Sequence, residues 1–231
     1  MKHSPLHATA ESGLTVLADL LLSNGANLND FSDEYGTPLA VAIISESKEM
    51  IGFLLDHGAN PNIPIRGKTA IQLAIETEDP DIVQIVLQKA KPETGVLDGK
   101  EDALWSAVRT GMLSAVIILM EHGIDLSSKT ESARGRTLLT HSMSCDADSV
   151  VEHLLEISDV QKIEVDETNS AGYAAMHLAV NKGRLDWTKA LIKHNAKLNK
   201  RDRTGRTPLM LSVRDNRFEI LAYLLENGAD P

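Results

Sequence analysis

The chain contains one cysteine, few aromatic residues and no long apolar segment. Because Cys145 is alone, the sequence excludes an intramolecular disulfide framework and a cysteine-rich metal site. Phe, Trp and Tyr make up 3% of the 231 residues, so a core must consist of Leu, Ile, Val and Ala, which favours small helical units over a large barrel or sandwich. No apolar run approaches the ~18 residues that span a membrane, and the N-terminus leads into no signal-peptide segment. We therefore expect the reducing environment of the cytoplasm or nucleus.

Basic residues are outnumbered by acidic ones. With 23 Lys and Arg against 33 Asp and Glu, the formal net charge is −10, which argues against general nucleic-acid binding. The distribution is more informative, because residues 1–169 have 12 basic and 27 acidic side chains, whereas residues 170–231 have 11 and 6. The two parts of the chain therefore have net charges of opposite sign, −15 and +5.

Two short motifs recur along the chain at a nearly constant spacing. The triplet Thr37-Pro38-Leu39 returns as Thr207-Pro208-Leu209, and Ser4-Pro5-Leu6 is a near copy. Alignment on the first residue of this triplet gives repeat starts at positions 4, 37, 69, 102, 137, 174 and 207. A second motif follows in most repeats, for example His57-Gly58-Ala59 and Asn227-Gly228-Ala229. Such self-similarity predicts a repeat architecture with seven units.

Each repeat has the signals of two short helices. A hydroxyl residue caps the first helix, and proline follows at the first helical position, where its missing N–H is harmless. A turn residue such as Gly13, Gly111 or Gly183 ends this helix, and at one turn Asp79-Pro80 opens the next. The second helix has apolar residues at i, i+3 and i+4 and ends at a glycine. Since each helix pair is apolar on both flanks, we expect neighbouring pairs to stack into a curved solenoid.

These motifs resemble those of the ankyrin repeat family over essentially the whole chain. The resemblance implies an all-α ankyrin-repeat solenoid, in which helix-turn-helix units stack and short β-hairpin loops connect them. Repeat five departs from the family pattern, because Ile157-Ser158-Asp159 replaces the Gly-Ala loop. We predict a single domain over residues 1–231, with approximate repeats 1–33, 34–66, 67–98, 99–132, 133–169, 170–203 and 204–231.

Motifs for catalysis and metal binding are missing from the sequence. No phosphate loop, dinucleotide fingerprint, serine nucleophile elbow or zinc-protease motif occurs. His7 and His177 fall at the histidine position of the family pattern, which implies a structural role. His141 and Cys145 lie four residues apart, but two ligands are too few for a metal site. We predict no enzymatic activity, no cofactor and no metal. An atypical enzyme or small-ligand site near repeats four and five is a remaining alternative.

Two further groups of residues have roles that the repeat register suggests. The loop residues Asn29, Asn62 and Asn199 are expected to brace their loops through hydrogen bonds. The aromatic residues Trp105, Tyr35 and Tyr173 are expected at exposed inner positions of three different repeats, too dispersed for a cage that binds methylated lysine. Trp187, in contrast, is expected in the core.

The resemblance places residues beside the hairpin glycine, and those late in the first helix, on a concave groove. In this register, repeats one to four are mainly acidic and repeats five to seven mainly basic. We predict a bipolar groove in which an acidic stretch of a partner lies over repeats five to seven. The alternative is that these charges only solvate an exposed face. The predicted partner-binding residues are Asp33, Glu34, Glu76, Glu101, Arg109, Arg134, Arg136, Tyr173, Lys182, Arg203, Arg206 and Arg214.

The resulting functional prediction is a non-enzymatic protein–protein interaction module. We expect a protein or peptide partner with an acidic segment, no nucleic acid, no membrane insertion and a monomeric chain. The alternative is an internal scaffold or regulatory domain of a larger multidomain protein. We also expect these residues to belong to a longer chain, because repeat one lacks its hairpin and Pro231 lies inside a loop motif.

Overall fold

The computed structural model describes residues 4–90, 100–124, 137–161 and 163–231. The described residues form two compact units, the first with residues 4–90, 100–107 and 114–124 and the second with the remainder. The helices in these ranges are α1 (Pro5–Glu11), α2 (Thr15–Ser23), α3 (Pro38–Ile44), α4 (Lys48–Asp56), α5 (Ala70–Glu76), α6 (Pro80–Lys89), α7 (Lys100–Thr110), α8 (Leu113–Glu121), α9 (Leu138–Ser144), α10 (Asp148–Glu156), α11 (Ser158–Gln161), α12 (Ala175–Lys182), α13 (Leu185–Lys193), α14 (Pro208–Arg214) and α15 (Phe218–Glu226).

The first helix begins after a hydroxyl residue in five of the described pairs, as predicted, whereas α12 begins after Ala174. Thr37 Oγ1 accepts a hydrogen bond from Ala40 N at 3.2 Å, and Thr207 Oγ1 accepts one from Met210 N at 3.3 Å. Proline occupies the first helical position after both caps. Each cap therefore satisfies an N–H that has no partner within its own helix.

The turn inside each helix pair places one residue in the left-handed region of the backbone. Glycine occupies this position in three of the described turns, and Glu, Asp or Asn adopts the same conformation in the others. The backbone N–H that follows donates to a carbonyl at the end of the preceding helix, for example Arg184 N to Ala179 O at 2.9 Å. The residues at this position, with φ between 53° and 73°, are Gly13, Glu46, Glu78, Gly111, Asp146, Gly183 and Asn216.

Helix pairs stack on one another within each unit. In the first unit, α1 packs against α2 and α3, α3 packs against α4 and α5, and α4 packs against α6. In the second unit, α12 packs against α9, α13 and α14, and α13 also contacts α10 and α15. The core consists mainly of aliphatic side chains such as Leu39, Ile51, Leu54, Val150 and Leu191. Burial of this apolar surface is what stabilises helices as short as seven residues.

The loop asparagines join neighbouring repeats. Asn29 Oδ1 accepts a hydrogen bond from Asn60 N at 2.8 Å, and Asn199 Oδ1 accepts one from Asp230 N at 2.9 Å. The predicted bracing role is confirmed for these two residues, and the bond is made to the loop of the next repeat.

One sequence-based expectation needs correction. Trp105 is 8% exposed in α7 rather than exposed on an inner surface, because its large ring gains more from apolar burial than from solvent contact. Repeat five departs from the family pattern, as the sequence indicated, and there the short helix α11 follows α10 directly. Trp187 is buried, as predicted.

Among the described residues, no helix combines the length and apolar character needed to cross a membrane.

Candidate partner-binding surface

Two hairpins of the second unit, residues 169–173 and 202–206, share one hydrogen-bond pattern. Asp202 N donates to Arg206 O at 2.9 Å, and Gly205 N donates to Asp202 O at 3.0 Å. The equivalent bonds of the hairpin at 169–173 measure 2.9 and 2.8 Å. Both hairpins therefore have the same backbone hydrogen bonds. The first helix of a repeat begins shortly after each of them.

The carboxylate of Asp202 organises the second of these hairpins. Its Oδ1 accepts hydrogen bonds from Thr204 N at 2.8 Å, Thr204 Oγ1 at 2.7 Å and Arg206 N at 3.0 Å, while Oδ2 accepts from Arg206 Nε at 3.0 Å. Burial alone would raise the pKa of Asp202, but the hydrogen bonds from Arg206 and Thr204 hold it well below its usual range. The carboxylate is therefore ionised at neutral pH and fixes the hairpin backbone together with one arginine.

Arg206 links this hairpin to Tyr173 and His177 of the preceding repeat. Its Nη2 donates to Tyr173 Oη at 3.2 Å. His177 Nδ1 accepts from Ala174 N at 3.2 Å, so Nε2 has the proton and donates to Arg206 O at 3.2 Å. Burial lowers the pKa of His177, so the neutral imidazole is favoured. The structural role that the family resemblance implied for His177 is confirmed by these contacts.

The two hairpins lie in close contact at Gly172. A Cβ atom at this position would lie 2.6 Å from Arg203 Cγ and 2.7 Å from Arg203 N, and φ of Gly172 is 80°. Glycine is therefore required for this approach. Arg203 is itself exposed, and no residue in the described part of the chain pairs with its guanidinium group. The hairpin thus presents an unpaired cation from a fixed backbone.

Two other predicted basic residues form ion pairs within the second unit. Arg214 Nε lies 2.7 Å from Asp215 Oδ1, and the hydrogen bond to this carboxylate raises the pKa of Arg214. Lys182 Nζ lies 2.7 Å from both carboxylate oxygens of Asp146. These pairs are partly exposed and screened by solvent, so each contributes little to stability. Their main effect is to reduce the positive charge that a partner would meet.

The predicted acidic residues of the first unit divide into exposed and paired side chains. Asp33 and Glu34 are exposed at the tip of a hairpin closed by mutual backbone hydrogen bonds between Ser32 and Gly36, at 2.8 and 2.7 Å. Glu76 instead forms an ion pair with Lys68, with 2.5 Å between Oε1 and Nζ. Of these three predicted acidic residues, only the two at the hairpin tip are therefore exposed without an ion pair in the described structure.

The remaining predicted site residues lie near or beyond the limits of the described structure. Arg109 is exposed in the last turn of α7, and Glu101 lies in the same helix. Arg134 and Arg136 fall outside the described residues.

Sequence reasoning missed the carboxylates that hold the predicted cations. Asp202 could have been found, because it stands three residues before Gly205, as Asn169 stands before Gly172. Asp146 and Asp215 lie in turns where capping is the more usual role, and the sequence gives no signal for their pairing with Lys182 and Arg214.

His141 and Cys145 do not form part of a metal site in the described structure. The Cys145 sulfur lies 4.0 Å from both ring nitrogens of His141. No group of three or more His, Cys, Asp or Glu side chains in the described ranges is arranged to hold a metal ion.

Comparisons with known proteins agree with the geometry of the repeats. The family model for ankyrin repeats matches three times, over residues 1–65, 71–163 and 141–231. The B-cell lymphoma 3 protein homolog of Mus musculus is 30% identical over 203 residues, which cover 84% of this chain and 44% of that protein. The nuclear factor NF-kappa-B p105 subunit of Gallus gallus is 30% identical over 174 residues, which cover 74% of this chain and 17% of that protein. The chain therefore spans less than half the length of these curated relatives.

A solved structure shows the same fold. The crystal structure of the ankyrin repeat domain of Bcl-3 matches with a TM-score of 0.81 at 28% identity, covering 95% of this chain and 98% of that domain. The predicted all-α ankyrin-repeat fold class is thereby confirmed. Domains of this kind typically act as protein–protein interaction modules and are typically non-enzymatic. The three family matches and the shared fold together establish that this chain belongs to the ankyrin repeat family.

Proposed function

We propose that the chain binds a partner protein or peptide along the edge formed by its hairpins and first helices, and that the second unit receives an acidic segment of that partner. The observation on which the proposal depends is the grouping of Arg203, Arg206 and Arg214 with Tyr173 in and beside the two hairpins of this unit. Residues 170–231 have a net charge of +5, so this grouping lies in the basic part of the chain. Electrostatic attraction would orient an acidic segment and raise its association rate.

Arg203 is the residue of this group best placed for contact with a partner. Lys182 and Arg214 already have carboxylate partners, and Arg206 is held by Asp202. A partner that uses those cations must compete with an existing ion pair, whereas the guanidinium group of Arg203 is exposed. The close contact of its backbone with Gly172 also limits its movement, which lowers the entropy lost on binding.

The hairpin tip of the first unit supports the acidic part of the predicted bipolar groove. Asp33 and Glu34 are both exposed there, so a basic stretch of a partner is the complementary ligand. The expected absence of catalytic activity, the absence of a cofactor and the single-domain organisation remain predictions.

The relatives support this proposal at the level of function class and compartment. One of them is named as a subunit of a nuclear factor, which fits a role in protein assembly and a location in the cytoplasm or nucleus. A second candidate function is that of an internal scaffold or regulatory domain, favoured by the finding that the matched segments form only 44% and 17% of the two relatives.

Selection from a library of random 12-residue peptides displayed on phage, with the full chain as target, tests the proposal and requires no natural partner. We expect enrichment of peptides rich in Asp and Glu. Their affinity should fall with rising salt, because the attraction between exposed charges is screened. A selection that returns binders without acidic enrichment would contradict the proposed surface.

Charge reversal at Arg203 then locates the binding surface. The leading acidic peptide is the one from the selection that binds most tightly. Arg203→Glu should weaken its binding roughly 3- to 10-fold at low salt and flatten the salt dependence of its Kd. The matched control is Lys193→Glu, which makes the same change in net charge at an exposed position of α13, a second helix. Equal losses in the two variants would show that only the overall charge matters.

A further inference from the structure

The direction of the hydrogen bond between Arg206 and Tyr173 determines what the tyrosine hydroxyl can still do. A guanidinium group only donates, so the 3.2 Å contact from Arg206 Nη2 occupies an acceptor position on Tyr173 Oη. The hydroxyl proton is therefore not used in this bond. No residue in the described part of the chain accepts that proton.

The same contact makes the hydroxyl a better donor. A cation that donates to the phenol oxygen draws electron density from the O–H bond, and such coupled hydrogen bonds strengthen one another by about 10–30%. The guanidinium group is held in place for this role, because Asp202 Oδ2 lies 3.0 Å from Arg206 Nε and 2.9 Å from Nη2. Tyr173 is half-buried, so part of the residue is exposed to solvent.

The charges in and beside the second hairpin are mainly positive. Asp202 pairs with Arg206, and Asp215 pairs with Arg214. Five guanidinium groups belong to this hairpin, to α14 and to their flanking residues, and they are Arg201, Arg203, Arg206, Arg214 and Arg217. Because the cations outnumber the two carboxylates, an acidic side chain of a partner is the complementary ligand.

We propose that Tyr173 donates its hydroxyl proton to an Asp or Glu carboxylate of the bound segment, with Arg206 and Arg203 beside it as the compensating cations. This inference rests on the proposed function and assigns a specific contact within it. Tyr173 determines specificity for a carboxylate, and Asp202 is a positioning residue that acts through Arg206.

Two exposed apolar residues of the following helix indicate the neighbouring part of the ligand. Met210 and Val213 are 49% and 59% exposed on α14, the helix that follows Arg206. A bound segment would cover them with aliphatic side chains on either side of the acidic residue. The expected ligand motif is therefore an Asp or Glu flanked by Leu, Ile or Val.

The test compares two probes on the full chain. The first probe is the leading acidic peptide from the phage selection, and the second is its counterpart with every Asp and Glu changed to Asn and Gln. Tyr173→Phe should weaken the binding of the acidic probe about 10-fold and change the binding of the amide probe far less, because a hydrogen bond to a charged acceptor is lost only with the acidic probe. Since phenol and benzene rings are both uncharged, the salt dependence of Kd should stay as in the wild type.

The matched control is Tyr223→Phe, the same chemical change in α15, a second helix of the same unit, which should leave both affinities unchanged. An independent measurement on the unmodified chain is the NMR shift of the Tyr173 ring carbon that bears the hydroxyl. This resonance should move when the acidic probe binds and stay in place with the amide probe.

Three results would overturn the inference. They are an unchanged affinity in Tyr173→Phe, an equal loss for both probes, and an unmoved Tyr173 resonance when the acidic probe binds. If Arg203→Glu weakens binding and Tyr173→Phe does not, the hydroxyl contact is wrong and the proposed function stands. If neither variant weakens binding, both are wrong.

Discussion

The close contact between the hairpins at Gly172 leads to a quantitative prediction for Gly172→Ala. Two costs combine in this variant. A residue other than glycine at φ 80° loses about 1 kcal/mol, and the new Cβ would lie 2.7 Å from the backbone nitrogen of Arg203, an overpacking that costs a further ~1–3 kcal/mol. Because the backbone cannot move aside as a flexible side chain can, we expect a total loss of about 2–4 kcal/mol in the free energy of unfolding.

Gly205→Ala is the matched control, because Gly205 has the same place in the next hairpin. Its φ is 82°, and a Cβ there would meet no atom within 4 Å. In this variant the free energy of unfolding should fall by only about 1 kcal/mol, the conformational cost of a residue other than glycine. The difference between the two variants therefore measures the contact between Gly172 and Arg203 alone.

Urea denaturation followed by circular dichroism provides the measurement. The two variants should share the wild-type m value, and the midpoint of Gly172→Ala should fall below that of Gly205→Ala. Equal midpoints would refute the reasoning, since the hairpins would then approach each other without a close contact at Gly172.

Three further predictions concern stability. Gly52→Ala should stabilise the chain by about 0.5–1 kcal/mol in urea denaturation, because Gly52 lies inside α4 and its new Cβ would meet only the side chain of Lys89, at 3.3 Å from Nζ, which pairs with Asp56 on the surface and can adjust; a loss of stability would contradict this. Thr207→Ala should cost about 1 kcal/mol through loss of the cap on α14, and an unchanged midpoint would count against the cap. His177 has a lowered pKa in the folded state, so the unfolded chain binds the proton first and stability should fall as pH drops below about 6.5. His177→Gln should show a smaller fall between pH 7.5 and 5.5, whereas an unchanged fall would exclude His177 as its source.

The features that the sequence predicted correctly depend on neighbouring residues in the chain. The caps at Thr37 and Thr207 and the turns at Gly13 and Gly183 follow from the conformational preferences of a few consecutive residues. The repeat spacing then indicates how units stack, because each helix pair must bury both of its apolar flanks.

The ion pairs of the candidate site could not be predicted in this way. Lys182 reaches Asp146 across 36 residues, and their pairing depends on side-chain conformations in adjacent repeats. Arg206 and Asp202 are close in sequence, yet the burial of Asp202 depends on how the two hairpins pack. The sequence showed the signs of the charges, and the structure was needed to show which cations already have partners.

The prediction for Trp105 failed for a related reason. The family pattern has a histidine at this position, and in His177 that side chain is buried and hydrogen-bonded to the next hairpin. Trp105 occupies the equivalent place in α7 and is buried as well. This position of the repeat is therefore buried for both side chains, and the large apolar ring of Trp105 gains from that burial.

The most direct test of the account is the Kd of the leading acidic peptide for the wild type, Arg203→Glu and Lys193→Glu, measured at low and high salt by fluorescence anisotropy. The account predicts that Arg203→Glu alone binds roughly 3- to 10-fold more weakly at low salt and loses most of the salt dependence. Equal affinities and equal salt dependence in all three proteins would contradict the proposal that the basic hairpins of the second unit bind an acidic partner.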